Sequence, residues 1–187
     1  MSARKQAVLD AIDAANRQDP NIEDGQPVEL IYGQRMSAEM DRLFPDASDM
    51  LQIAARGQHV ERWKLARSEY PEGRAGYLAW RKAQGVHHAE VVMDLMEQAG
   101  YDADDVDAAG RMLRKQGIKR DDEVQALEDV ICFVFLKWYF APFAAKHSAE
   151  KIQSIVEKTA RKMSAEGRAR VLKEFDLPDN LAAAFQG

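Results

Sequence analysis

Only one cysteine, Cys132, occurs in the 187 residues, and it sits inside an apolar run. A disulfide framework and a Cys-rich metal site are therefore excluded. Long hydrophobic runs are equally missing. The longest, from Val130 to Phe143, is interrupted by Lys137 and is too short to span a bilayer. The N-terminal stretch "MSARKQAVLDAIDAANRQDP" mixes apolar and polar residues at helical spacing, without the continuous apolar segment of a signal peptide. No His-Glu-x-x-His pair, Gly-rich phosphate loop, nucleophile elbow or paired Cys motif is present. No strand-like alternation, internal repeat or low-complexity tract appears. An excess of basic charge is lacking too: 26 Lys and Arg face 31 Asp and Glu, a formal net charge of -5. This argues against non-specific nucleic-acid binding by the whole surface and leaves room for a local basic patch. These absences lead to the expectation of a soluble, cytoplasmic protein with no membrane partner.

With 46% hydrophobic and 30% charged residues, the chain has ordinary globular usage and enough length for one core. A single all-α domain over residues 1–187 is the expectation. Val8, Ile12 and Ala15 mark a first helix, and "RQDPNIEDGQP" a polar loop after it. Leu30, Met36, Met40 and Leu43 mark a second, closed by "FPDAS"; a third begins at Ala47 and turns Met50, Ile53, Ala54 and Gly57 inward. Pro71, Gly73 and Gly76 punctuate "WKLARSEYPEGRAG" as a loop. Helices resume over "YLAWRKAQGVHHAEVVMDLMEQAG", with a break expected at Gly85, and over "DADDVDAAGRMLRKQG". The segment around residues 122–142 is apolar all round after Asp129, the pattern of a central buried helix. An amphipathic helix, a turn at "MSAEG" and a shorter helix close the chain.

Polar groups forced into that pattern carry the chemistry. A buried carboxylate costs several kcal/mol unless it is paired or binds a cation. Glu128 and Asp129, between Leu127 and "VICFVFL", need such a partner: a helix dipole or an arginine such as Arg35 in one reading, a metal ion in the other. His59 ends an apolar helix. His88 shares a face with Val91, Val92 and Leu95. Two histidines and a buried acid near helix ends suit a metal more than a lone histidine would. His147, beside the N-cap Ser148, reads as an exposed helix junction. The stretch "ARGQHVERWKLARSEYP" and the residues after it gather Arg62, Lys64, Arg67 and Arg74 with Trp63, Tyr70, Tyr77 and Trp80. Arginine forks match phosphate or carboxylate oxygens, and aromatic faces stack on bases. With Arg35, these cations are the candidate binders of an anionic small molecule, a nucleotide or RNA. The competing reading packs the aromatics under the loop and pairs its cations with Glu61, Glu69 and Glu72.

The order of "YGQRMSAEMDRL", "LQIAARGQHVERW" and "HHAEVVMDLMEQAGYDADDVDAAGRMLRKQGIKRDDEVQALEDVICFVF" resembles the helical HD-domain superfamily of metal-dependent phosphohydrolases. Over nearly its whole length the chain also resembles an uncharacterised family, domain of unknown function 4202. The HD resemblance implies an all-α core with one or two divalent ions and nucleotide or phosphoester substrates. It maps His59 onto the histidine of the His-Asp pair, His88 onto the first later histidine and Asp129 onto the final aspartate. Tyr32, Val60 and Gln116 stand where the pattern has a histidine, an aspartate and a second later histidine. By this resemblance His59, His88 and Asp129 would hold one Fe, Mn or Zn ion, with Glu128 or Glu61 as candidate catalytic carboxylates. Two functions follow as expectations. One is a metal-dependent phosphohydrolase-like enzyme with a mononuclear His/His/Asp site; the other is a degenerate HD-like fold that binds a nucleotide or RNA without chemistry.

Overall fold

A computed structural model of the chain describes residues 2–186. It is all-α apart from one minimal hairpin, and it divides into two compact units, Met1–Gly117 and Ile118–Gly187.

In the first unit, α1 (Ala3–Asn16) starts at Ser2, whose hydroxyl accepts the Lys5 N–H. Satisfying that otherwise unpaired donor is what an N-cap does. Strands β1 (Ile22–Glu23) and β2 (Gln26–Pro27) then pair antiparallel across Asp24 and Gly25, both at positive φ. Two left-handed residues in sequence are the backbone of a tight hairpin, and Asp-Gly is a favoured pair for it. The segment read as plain loop thus contains two short strands. α2 (Val28–Leu43) follows directly, then α3 (Asp49–Gly57), capped by Ser48. Two 3-10 turns, Arg62–Lys64 and Arg67–Glu69, lead to α4 (Gly73–Gln98) and α5 (Ala103–Leu113), the latter capped by Asp102. The core gathers Val8 and Ile12, Met36 and Met40, Leu51 and Ile53, Val92 and Met96, and Ala109 and Leu113. Helix α4 runs unbroken through Gly85. A methyl group there would stand 3.2 Å from the Leu113 carbonyl, so this glycine allows close packing on α5 instead of ending the helix.

In the second unit, α6 (Asp122–Val134) is capped by Asp121 and buries Val124, Leu127, Val130, Phe133 and Val134. A π turn, Phe135–Tyr139, and α7 (Phe140–Ala144) follow. Helices α8 (Ala149–Lys162), α9 (Ala165–Glu174) and α10 (Asp179–Ala182) complete the unit. Ser148 and Ser164 cap α8 and α9. The expectation of burial on every face to residue 142 needs correction. Lys137, Ala141 and Pro142 are exposed. The π turn holds one more residue per turn than an α-helix, so it rotates the faces that follow, and the Lys137 ammonium keeps its water.

Helix α3 delivers His59 and α4 carries His88, and their approach is set by Gly57. A Cβ at this position would meet Val92 Cγ2 at 2.4 Å. Gly57→Ala should therefore destabilise the protein by about 1–3 kcal/mol through overpacking. Urea unfolding measures it; an unchanged midpoint would contradict the close contact.

Candidate functional site

The turn after α3 is held by buried side chains from other elements. Asn16, at the end of α1, donates Nδ2–H to the Glu29 carbonyl at 3.3 Å and accepts the Glu61 N–H on Oδ1 at 3.0 Å. His88 Nδ1 lies 2.8 Å from the Val60 carbonyl. Gln84 donates Nε2–H to the carbonyls of Arg62 and Leu65, at 2.9 and 3.0 Å, and the Trp80 indole N–H also donates to Leu65. Glu61 is held at φ 53, a left-handed conformation uncommon for a residue with a side chain. Such conformations persist where surrounding contacts over-determine them.

The held turn aims two side chains at Glu29. His59 Nδ1 is 3.1 Å from Glu29 Oε2, and Arg62 Nη1 is 3.3 Å from His59 Nε2. A guanidinium can only donate, so Nε2 must accept. The neutral ring therefore carries its proton on Nδ1 and donates it to the carboxylate. Tyr32 stacks on His59, with ring centroids 3.7 Å apart and planes 9° from parallel. Arg62 also lies 3.9 Å from Glu29 Oε1 and 4.7 Å above the Trp80 ring, with its side chain 31% exposed.

Electrostatics follow from burial. The Glu29 carboxyl is pushed from 4.5 up to about 7 by burial, against the pull of Arg62 and with the help of Asp19, whose Oδ2 accepts the Glu29 N–H. His59 titrates well below the usual imidazole range, through burial and then the charges of Arg62, Lys115 and Arg81. His88 is lowered in the same way, by burial and its neighbours His59 and Arg62. A carboxyl near neutrality beside a neutral imidazole and a guanidinium is an arrangement suited to moving a proton near pH 7.

The residues named from sequence fall in different places. His59, His88 and Glu61 lie in the first unit at the held turn. Glu61 pairs with Lys64 at 2.6 Å, and His87 Nε2 lies 3.7 Å from its carboxylate. Arg67 is tied to its own loop, donating to the Tyr70 and Pro71 carbonyls. Arg74 is exposed, and Arg35 pairs with Glu23 at 3.5 Å. Glu128 and Asp129 belong to the second unit. Glu128, 2% exposed, lies 3.7 Å from Lys162 Nζ. Asp129 Oδ1 accepts the Ser164 N–H at 2.8 Å and a Gln125 amide N–H, while Oδ2 accepts the Ser164 hydroxyl. Burial raises its pKa while these Ser164 and Gln125 donors lower it, so the carboxylate serves the α8–α9 junction. Both nitrogens of His59 are engaged as well. Among the described residues, no three His, Cys, Asp or Glu side chains are placed to hold a metal ion.

Beside the turn runs a groove of about 460 Å³, lined by Leu65 and Tyr70 on one side and by Ala79, Ala83, Val86 and His87 of α4 on the other. Over residues 6–184 the sequence matches the model of a family described as a domain of unknown function. The chain belongs to the DUF4202 family. No curated protein and no solved structure matches it.

Glu29 is a candidate functional residue of this DUF4202 chain that sequence reading passed over. The signal was present: Glu29, Tyr32, Met36 and Met40 form the inward stripe of α2, and Glu29 is its one acid besides Glu39, which pairs with Arg42. Its test is a stability measurement. A carboxyl raised from 4.5 to about 7 favours the folded state below pH 4.5 and loses that advantage as pH rises through 7, a difference of about 3 kcal/mol. Glu29→Gln keeps an acceptor for His59 Nδ1–H and removes the charge. It should raise the unfolding free energy at pH 8 by up to this amount and change it little at pH 4.5, read by urea melts at both pH values. A destabilised Glu29→Gln protein at pH 8 would contradict the raised carboxyl.

Proposed function

We propose that the first unit binds a phosphate-bearing, nucleotide-like small molecule, with Arg62 as its anion contact. The observation that carries this reading is the position of Arg62. Its partly exposed guanidinium rests on a neutral imidazole and a carboxyl pushed up to about 7, which are weak partners for a full positive charge. A phosphate offers two charged acceptors in the geometry of the guanidinium fork and is the stronger partner. Lys115 and Arg81 add positive potential at His59. The groove next to the turn, lined by Tyr70, Leu65, Ala79, Ala83 and Val86 with Lys82 and Glu90, suits a flat body such as a base that presents polar edges. The resemblance of His59 and His88 to two HD positions supports a phosphoester ligand. The departures at Tyr32, Val60 and Gln116 favour binding through Arg62 without a metal ion.

A second reading, hydrolysis, is favoured by the Glu29 value. Once Arg62 turns to the anion, His59 Nε2 holds a free lone pair beside the phosphate. It accepts a proton from water as the water oxygen bonds to phosphorus, and the ester P–O bond breaks with the leaving oxygen taking a proton from solvent. Glu29, when ionised, stabilises the imidazolium.

Isothermal titration with AMP at low salt separates these statements. Arg62→Ala should weaken binding at least tenfold, and added salt should weaken the wild type. Arg67→Ala should leave affinity unchanged, because Arg67 is spent on loop carbonyls. Equal affinity of Arg62→Ala and wild type, or no AMP binding at all, would contradict the proposal. Phosphate release from AMP that rises with pH through about 7 and is lost in His59→Ala would establish the second reading.

A further inference from the structure

Two residues of helix α4 that are themselves almost fully buried carry acceptors that no described residue satisfies. Gln84 Oε1 and His88 Nε2 have no hydrogen-bond partner, and both residues are only 3% exposed. Their chemical character is fixed by what the other end of each group does. Gln84 Nε2 donates to two carbonyls, so the amide cannot be turned over without setting Oε1 against them. His88 Nδ1 faces the Val60 carbonyl, which cannot donate, so this nitrogen carries the proton and the neutral ring leaves Nε2 with a lone pair. Spaced i and i+4, the two residues share one face of the helix. Both side chains project to the turn that carries Arg62. Leaving a buried acceptor unpaired is costly, so such a pair calls for a donor-bearing guest.

The guest's charge is constrained by its surroundings. Arg62 bears on both His59 and His88, and Arg81 and Lys115 bear on His59, so an ammonium or metal cation would meet like charge. A neutral hydroxyl supplies a donor without that repulsion. We infer that Gln84 and His88 select the ligand of the Arg62 site by accepting hydrogen bonds from its hydroxyl groups, so that the preferred ligand is a hydroxylated phosphate ester such as a polyol or sugar phosphate. This rests on the reading of Arg62 as the phosphate contact. The hydroxyl reaches the acceptors as the Arg62 side chain turns from His59 to the phosphate.

Two probes that differ only in hydroxyls test it: glycerol phosphate and propyl phosphate, titrated calorimetrically into the wild-type protein. Sites built to bond a hydroxyl reject analogues without it strongly. The expected result is at least tenfold tighter binding of glycerol phosphate. His88→Asn keeps a side-chain N–H for the Val60 carbonyl and removes Nε2. It should bring the two affinities together while propyl phosphate binds as in the wild type. Equal affinities in the wild type would overturn the inference and leave the Arg62 site standing, with a water molecule as the guest. Binding of neither probe would overturn both. Wild-type preference that survives unchanged in His88→Asn would remove His88 from the selection.

Discussion

Asn16 makes the pair of hydrogen bonds on which the first unit's site depends. One goes to the main chain of Glu29 at the start of α2 and the other to the main chain of Glu61 after α3, so a single amide, 1% exposed, sets the spacing between the carboxyl and the imidazole. The left-handed Glu61 follows from the same constraint. With its N–H taken by Asn16 and the flanking carbonyls taken by His88 and Gln84, the turn has no relaxed alternative that keeps all three groups bonded.

That rigidity explains the electrostatics. Glu29 cannot move into water, so burial raises its pKa; His59 cannot move away from Arg62, so its proton is confined to Nδ1. A carboxyl, an imidazole and a guanidinium in line share less charge than their number suggests. The outermost of them, Arg62, is the one best placed to exchange its partner for an incoming anion. The second unit uses a buried acid differently. Asp129 accepts the N–H and the hydroxyl of Ser164, the N-cap of α9, and a Cβ at Gly167 would stand 2.8 Å from its carboxylate.

Much of this was legible in the sequence. The helical periodicity gave the all-α class, Ser148 marked a helix start, and His147 lies exposed at its junction as read, while the third helix starts at Asp49, two residues after the expected Ala47. Burial of Asp129 was legible too, but its partner was not, since Ser164 is 35 residues away and an apolar flank reports depth without reporting contacts. The aromatic and basic loop divided in a way no local pattern encodes: Trp80 packs under it as the structural reading held, while Arg62 alone turns toward the histidine. Gly85 misled because glycine breaks helices by propensity, whereas here it admits a neighbouring backbone. The Asp-Gly turn was a readable hairpin signal in a segment whose polarity argued only for loop.

The most direct measurement is the titration of His59 by NMR with nitrogen-15-labelled histidine, with and without inorganic phosphate. The account predicts a free-protein His59 that is neutral at pH 7, protonated on Nδ1, and titrates well below the usual value of about 6.5. Phosphate should raise its midpoint, because an anion on Arg62 offsets the charge that holds the imidazolium back. A His59 that titrates at or above 6.5 in the free protein, or whose midpoint is the same at saturating phosphate, would contradict it.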